Sequence, residues 1–251
     1  PEKRIKEDYL RILRYVRFFL NYSKEKHQTK VKKVIKQNIN GVINLSKERL
    51  LGELQKIILS NGFANLSKDE FCKEIILLIF PQLKNLNILK KLNKYSLNTI
   101  HKKNFIFILS FLIIDDTDNS DYFLYKFNVS NETKKKVNFL KEIYINSHDK
   151  NTFSKKNLYK ILYFNGKSYL QDAIDLQLIK LNNKNKKLIE LSEYFKKIEK
   201  PSFPIKTNKI MEKYKIKEGR ELGQKLKSLE NLWVENSFKI TDKDVDKIFL
   251  N

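Results

Sequence analysis

Cysteine is almost missing from this chain: Cys72 stands alone among 251 residues. That excludes a disulfide framework and a cysteine-based zinc site. Glycine and proline are scarce too, at 6 and 4 residues. Collagen-like and linker sequences need far more of both. A turn-rich all-β protein needs such punctuation every ten residues or so, and it is not here. Only three histidines are available for metal or acid–base chemistry. Acidic residues are outnumbered, 29 against 51 Lys and Arg, for a formal charge of +22. Long apolar runs are absent. The longest, Phe105 to Ile114, lies between lysines and aspartates; a bilayer span needs about 20 residues. That run reads as a buried helix, and no signal peptide is visible. A cytoplasmic location is expected. Pro1 falls within one turn of a strongly patterned helix, so the chain is expected to begin partway through a longer protein.

What is present fills a core. Hydrophobic residues make up 41%, with 17 Phe and 12 Tyr, enough for one large domain or two to three small ones. A disordered basic tail would not carry that aromatic load. Lys, Asn and Ile all have AT-rich codons, so genomic bias accounts for part of the charge. The field persists whatever its origin, and it attracts RNA or anionic membrane. Nucleic acid is the favoured partner on charge alone.

The periodicity predicts an all-α fold. Ile5, Tyr9, Ile12, Leu13, Val16, Phe19 and Leu20 mark one face of a first helix over residues 2–22. Val31, Val34, Ile35 and Ile39 mark a second. Ser46 reads as the cap of a helix over 47–59, with Leu50, Leu51, Leu54 and Ile58 inward. Residues 67–70 (Ser-Lys-Asp-Glu) spell a capping box, with Ser67 at the cap and Glu70 reaching back. Its helix stops near Pro81. Ser130 and Ser154 are further caps. Residues 115–121 form an acidic loop and 182–187 a polar one. A last section starts at Pro201 and holds the only tryptophan, Trp233.

The first helix carries the candidate chemistry. Asp8, Arg11, Arg14 and Arg17 recur every third residue opposite the apolar stripe. A carboxylate accepts from the exocyclic amino group of cytosine or adenine, and a guanidinium donates a planar fork to base edges or phosphates. One rigid helix bearing both would read a base and neutralise its triphosphate. The row equally fits a solvated face of ion pairs worth about 0.2–0.5 kcal/mol each, and spacing alone leaves both open.

Residues 4–18, RIKEDYLRILRYVRF, closely resemble the RI-x-ED-x-LR-x-LR-x-x-RF segment of class II tRNA nucleotidyltransferases. That family comprises the bacterial CCA-adding enzymes and the bacterial poly(A) polymerases. Residues 45–54, LSKERLLGEL, resemble the family's IS-x-ER-x-x-x-EL segment. Phe203-Pro204-Ile205, then Gly219, Gly223, Leu226 and Trp233, resemble the tail of CCA-adding enzymes, although Thr207 stands where glycine is usual. The similarity covers most of the chain, weakly through its middle.

The resemblance implies CCA addition to tRNA 3′ ends from CTP and ATP. Asp8 and Arg11 would template the incoming base, Arg14 and Arg17 would line the nucleotide pocket, and Arg49 and Glu53 would brace the neck. Glu7 would support Arg11 or Arg14. It implies a neck over 1–62, a helical body over 63–150 and a tRNA-binding tail over 151–251. The tRNA acceptor and upper stem would be the partner, with no membrane and no DNA. Mg2+ would serve the intact enzyme through an upstream head domain that this sequence lacks. The chain alone would therefore add no nucleotides. A poly(A) polymerase, an A-only or CC-only adding relative, and a stand-alone helical RNA-binding protein are the alternatives.

Other candidates are weaker. Asp116-Thr117-Asp118 has the spelling of a metal-binding carboxylate pair but no Gly-Ser turn before it, and it fails as an EF-hand loop. His148-Asp149 lacks the further ligands of a phosphohydrolase site. His27 and His101 read as surface-loop residues, and Cys72 as a buried inert thiol. Lys134–Lys136 and Lys155-Lys156 read as solvated helix faces that add to the RNA-attracting field.

Overall fold

A computed structural model describes residues 2–182 and 184–250, so Pro1, Asn183 of the polar loop and Asn251 lie outside the described residues. The described residues form helices and connections, with no strand among them. They fall into two compact units, 2–146 with 175–182 and 184–185, and 147–174 with 186–250.

The first unit contains α1 (Glu2–Glu7), α2 (Arg11–Tyr22), α3 (Thr29–Asn38), α4 (Lys47–Ile58), α5 (Phe63–Leu66), α6 (Glu70–Ile79), α7 (Lys94–His101), α8 (Phe105–Ile113), α9 (Asn119–Lys126) and α10 (Asn131–Ile145). Helix α8 is its centre, with Phe107, Leu109, Leu112 and Ile113 all fully buried. It packs on α4, α9, α10 and the 3-10 segment Lys84–Lys91. A helix end inside a core leaves carbonyls without partners. Two asparagines solve this: Asn85 Nδ2 donates to the carbonyls of Phe111 (2.9 Å) and Ile114 (2.6 Å), and Asn119 Nδ2 to Ile113 (2.7 Å).

The expected single helix over 2–22 is broken at residues 8–10. The Asp8 carboxylate accepts from the Leu10 N–H at 3.2 Å, a local bond that competes with the helix ladder. The backbone tightens there, with Arg11 N–H donating to the Asp8 carbonyl at 3.0 Å and Ile12 N–H to Tyr9 at 3.1 Å. Apolar residues remain inward on both sides, Ile5 before the break and Ile12, Leu13 and Val16 after it, so the periodicity runs through unbroken. Helix α2 packs on α4, α5 and α6. Gly62 permits its approach to α5: a Cβ there would sit 2.5 Å from the Leu20 carbonyl oxygen.

Ser46, Ser130 and Ser154 cap their helices as expected, accepting from Arg49, Thr133 and Asn157. The capping box at 67–70 is corrected. Ser67 is fully buried and closes α5, its hydroxyl donating to the Ala64 carbonyl at 3.4 Å. Asp69 caps α6 instead, accepting from Cys72 N–H at 2.8 Å. The acidic loop is shorter than expected, because α9 begins at Asn119. Lys136 is buried rather than on a solvated face.

The second unit is built from α11 (Lys155–Asn165), α12 (Lys167–Lys180, whose last residues count with the first unit), α13 (Lys186–Lys197), α14 (Thr207–Tyr214), α15 (Arg220–Glu235) and α16 (Asp242–Phe249). Helix α15 packs on α11 and α16. Trp233 is 3% exposed and meets the rings of Tyr163, Phe203 and Phe238 at 5.3, 5.4 and 4.8 Å. The Phe-Pro-Ile segment and the lone tryptophan of the tail thus share one aromatic core.

Candidate functional site

The break that separates α1 from α2 places Asp8 in a tight turn rather than on the α2 rod. Its Oδ1 accepts from the Leu10 N–H and from Arg49 Nη2 at 2.8 Å. Burial pushes the Asp8 carboxyl up, but these two donors and the nearby charges of Arg49 and Arg14 outweigh it and hold the group below its ordinary value. The carboxylate therefore stays ionised. Both bonds land on Oδ1, leaving Oδ2 to accept from something else.

Arg49 reaches Asp8 from the first turn of α4, whose start is fixed by the Ser46 cap. One turn further, Glu53 is 1% exposed and accepts from Arg17 Nε at 2.6 Å. Lys56 Nζ lies 3.4 Å from the other Glu53 oxygen. Two ion pairs, Asp8–Arg49 from the turn and Arg17–Glu53 from α2, thus clasp the first motif to the second. A buried carboxylate needs such a partner, because an unpaired one is strongly destabilising.

The four residues of the row have different surroundings. Arg17 is turned to Glu53, and its guanidinium also covers the Phe18 ring at 4.4 Å. Arg14 and Glu7 are exposed. Arg11 follows Asp8 by one tight turn, and its Nε is buried with no hydrogen-bond partner among the described residues. An unsatisfied buried donor on a charged group is costly, and a ligand acceptor would relieve it.

The sequence missed a second constellation. His27 is not on a surface loop: its side chain is 6% exposed. The ring stacks on Phe19 at 3.5 Å and takes the Phe71 ring edge at 4.8 Å. Its Nδ1 lies 2.7 Å from Tyr15 Oη, and its Nε2 lies 3.0 Å from both Asp69 oxygens and 3.7 Å from Cys72 Sγ. Aromatic packing on both sides is what draws the imidazole inward. The signal was split across 45 residues of sequence, with only Asp69 and Cys72 near each other. Cys72 is buried as expected, and burial with the adjacent Asp69 charge pushes its thiol up. His101 ends α7 and is exposed, as is His148.

Magnesium prefers an all-oxygen octahedral shell. In the acidic loop Asp115 Oδ1 accepts from the Thr117 N–H and hydroxyl, and no metal-ligating group of three among the described residues includes Asp115, Asp116 or Asp118. Among the described residues the one cluster of metal-ligating side chains is His27, Asp69 and Cys72, a mixed set ill-suited to magnesium. The second unit has a cavity of about 460 Å³ lined by Lys155, Lys156, Tyr159, Val234, Ser237 and Phe238. Ser237 and Phe238 both hold positive φ, 56° and 64°.

No family model matches the chain. The chain is similar to a nucleotide-adding tRNA enzyme: CCA tRNA nucleotidyltransferase 1, mitochondrial, of Danio rerio is 26% identical over 250 residues, 96% of this chain and 55% of that protein. The protein of the same name from Mus musculus is 27% identical over 252 residues, 97% of this chain and 55% of its own length. The chain therefore spans about half the length of the curated relatives it matches. This homology, weak but continuous along the chain, supports a relation to CCA-adding enzymes. No helix among the described residues is long and apolar enough to cross a membrane.

Proposed function

We propose that this chain supplies the nucleotide-selecting and tRNA-binding portion of a CCA-adding tRNA nucleotidyltransferase, which completes tRNA 3′ ends from CTP and ATP. The observation that carries the reading is the pairing of an ionised Asp8 carboxylate, one oxygen open, with a buried and unpartnered Arg11 Nε one turn away. Asp8 Oδ2 would accept from the amino group of cytosine or adenine, and Arg11 would donate to the same base. Guanine and uracil would leave polar groups unpaired, which is how such a site rejects them. Arg14, exposed beside the turn, would meet the phosphates. Arg17, Arg49 and Glu53 would brace this neck region, with Glu7 at its edge.

In this reading residues 1–62 form the neck, 63–150 the body and 151–251 the tail. Lysine-rich faces would grip the tRNA acceptor and upper stem by phosphate contacts and A-form shape. In such an enzyme Mg2+ serves phosphoryl-type transfer. Binding without transfer is expected of this chain alone. The reading requires a compartment that holds tRNA, cytoplasm or organelle.

Direct binding tests it. The chain is titrated with each of the four nucleoside triphosphates and followed by calorimetry. CTP and ATP are expected to bind at least tenfold more tightly than UTP and GTP, and Asp8→Ala to erase that preference. Equal binding of all four, or a preference that survives Asp8→Ala, would overturn the assignment. Incorporation of labelled CTP by this chain would refute the claim that it binds without transfer.

A further inference from the structure

The His27–Asp69–Cys72 cluster shares no residue with the Asp8–Arg49 and Arg17–Glu53 pairs. Its three ligand atoms lie within 4.8 Å of one another. A tetrahedral zinc ion, with bonds of about 2.0–2.3 Å, sets N···O near about 3.4 Å and N···S near about 3.6 Å. The separations here are 3.0 Å from His27 Nε2 to Asp69 and 3.7 Å to Cys72 Sγ, so small side-chain shifts would complete the geometry.

The surroundings are those of a metal ligand set. Tyr15 Oη, 2.7 Å from His27 Nδ1, is the outer partner that a zinc-bound imidazole keeps on its second nitrogen. The Phe19 and Phe71 rings fix the plane of the imidazole. Asp69 Oδ1 is held by the Cys72 N–H at 2.8 Å, which orients the carboxylate and presents Oδ2. Asp69 and Cys72 share one face at the start of α6, three positions apart. The carboxylate and a thiolate together cancel a divalent charge, and the partly exposed Asp69 side chain leaves an approach for water. Nitrogen, sulfur and oxygen in one set favour zinc over magnesium or calcium.

We propose that His27, Asp69 and Cys72 bind a zinc ion that ties the segment between α2 and α3 to the start of α6, with water as the fourth ligand. A lone cysteine excludes a zinc site built on cysteines, but not this mixed set, in which histidine and aspartate supply the other two protein ligands. On binding, the Cys72 thiol releases its proton to solvent and its sulfur lone pair forms the Zn–S bond. The imidazole binds through the Nε2 lone pair, and its proton sits on Nδ1, donated to Tyr15 Oη. Asp69 binds as the carboxylate. No electron changes hands.

Cobalt(II) is the direct probe, used on the whole chain after stripping by a chelator. One equivalent is expected to give a thiolate-to-cobalt charge-transfer band and strong tetrahedral bands in the visible, all removed by added Zn2+. Zn2+ is also expected to raise the thermal midpoint. Cys72→Ala should abolish the charge-transfer band and weaken Zn2+ binding at least about 100-fold, and Tyr15→Phe should weaken it about tenfold. Should Cys72→Ala fail to fold, Asp69→Asn replaces it, since asparagine caps a helix as well as aspartate; that variant should weaken Zn2+ about 10-fold or more. Absence of the band at one equivalent overturns the proposal, and so does a band that survives Cys72→Ala or a Zn2+ affinity unchanged in the variants. None of these readouts involves nucleotide or tRNA.

Discussion

Arg14 and Arg17 stand three positions apart on the same row, yet the fold gives them different work. Arg14 is exposed, while Arg17 Nε is fixed on a carboxylate that is 1% exposed. Removing Arg17 strands Glu53, with only Lys56 at 3.4 Å to compensate. Arg17→Ala is therefore expected to lower unfolding free energy by about 3 kcal/mol. Arg14→Ala should stay within about 0.5 kcal/mol of the parent and weaken triphosphate binding instead. Urea melts of the two variants check this directly. Asp8 gives a pH prediction of definite sign. Its folded-state carboxyl lies below the ordinary value, so its contribution is whole above the unfolded value near about 3.9 and is lost as pH falls through the lowered folded value. Asp8→Asn should flatten the acid limb of the stability curve below about pH 4. The change will be small, because Asp8 is 23% and Arg49 47% exposed. A steeper acid limb in the variant would contradict it.

At the scale of helices, two glycines test how the elements meet. Gly62 abuts the backbone of Leu20, and its N–H donates to Asn21 Oδ1 at 2.9 Å. A methyl group there has to displace main chain, so Gly62→Ala should cost about 1–3 kcal/mol. Gly52, in the middle of α4, has nothing within 4 Å of an added Cβ. Gly52→Ala should stabilise by about 0.5–1 kcal/mol, and thermal or urea unfolding reads both. The same scale shows what the sequence could reveal. α8 was legible because no loop tolerates ten apolar residues in water, and the Ser46, Ser130 and Ser154 caps because each precedes a clean period. The break at Asp8 was not, since a tight turn preserved the apolar face. Ser67 and Asp69 are both good caps, and only the burial of Ser67 decides for Asp69. At the candidate site, Asp8, Arg11, Arg49 and Glu53 were visible as motif positions, but the pairs they make were not, because α4 meets α2 and the turn before it through residues 36 and 41 apart. His27 was hidden for the same reason.

For the whole molecule the governing quantity is the charge of +22. Lysines lie along both units, and many are already paired: Lys36 with Glu74, Lys141 with Asp121, Lys213 with Asp246. Exposed pairs of this kind add little to stability, and they leave a large positive excess in the field. Such a field condenses onto any polyanion, so affinity by itself discriminates nothing; its salt dependence and its shape preference do. A footprint of about six phosphates would cost about 10³ in tRNA affinity between 50 and 200 mM salt. A slope near zero in filter binding would show that phosphates are not the contacts. Field attraction alone would treat an RNA acceptor-stem duplex and a DNA duplex of equal length alike. Recognition of the A-form minor groove and its 2′-hydroxyls would not. We expect the RNA duplex to bind at least tenfold more tightly at 150 mM salt, and the gap to widen as salt rises, because the shape-dependent contacts are less screened than the phosphate term. Parity of the two duplexes at every salt concentration would reduce the basic surface to a non-specific polyanion binder and remove tRNA from its list of selected partners.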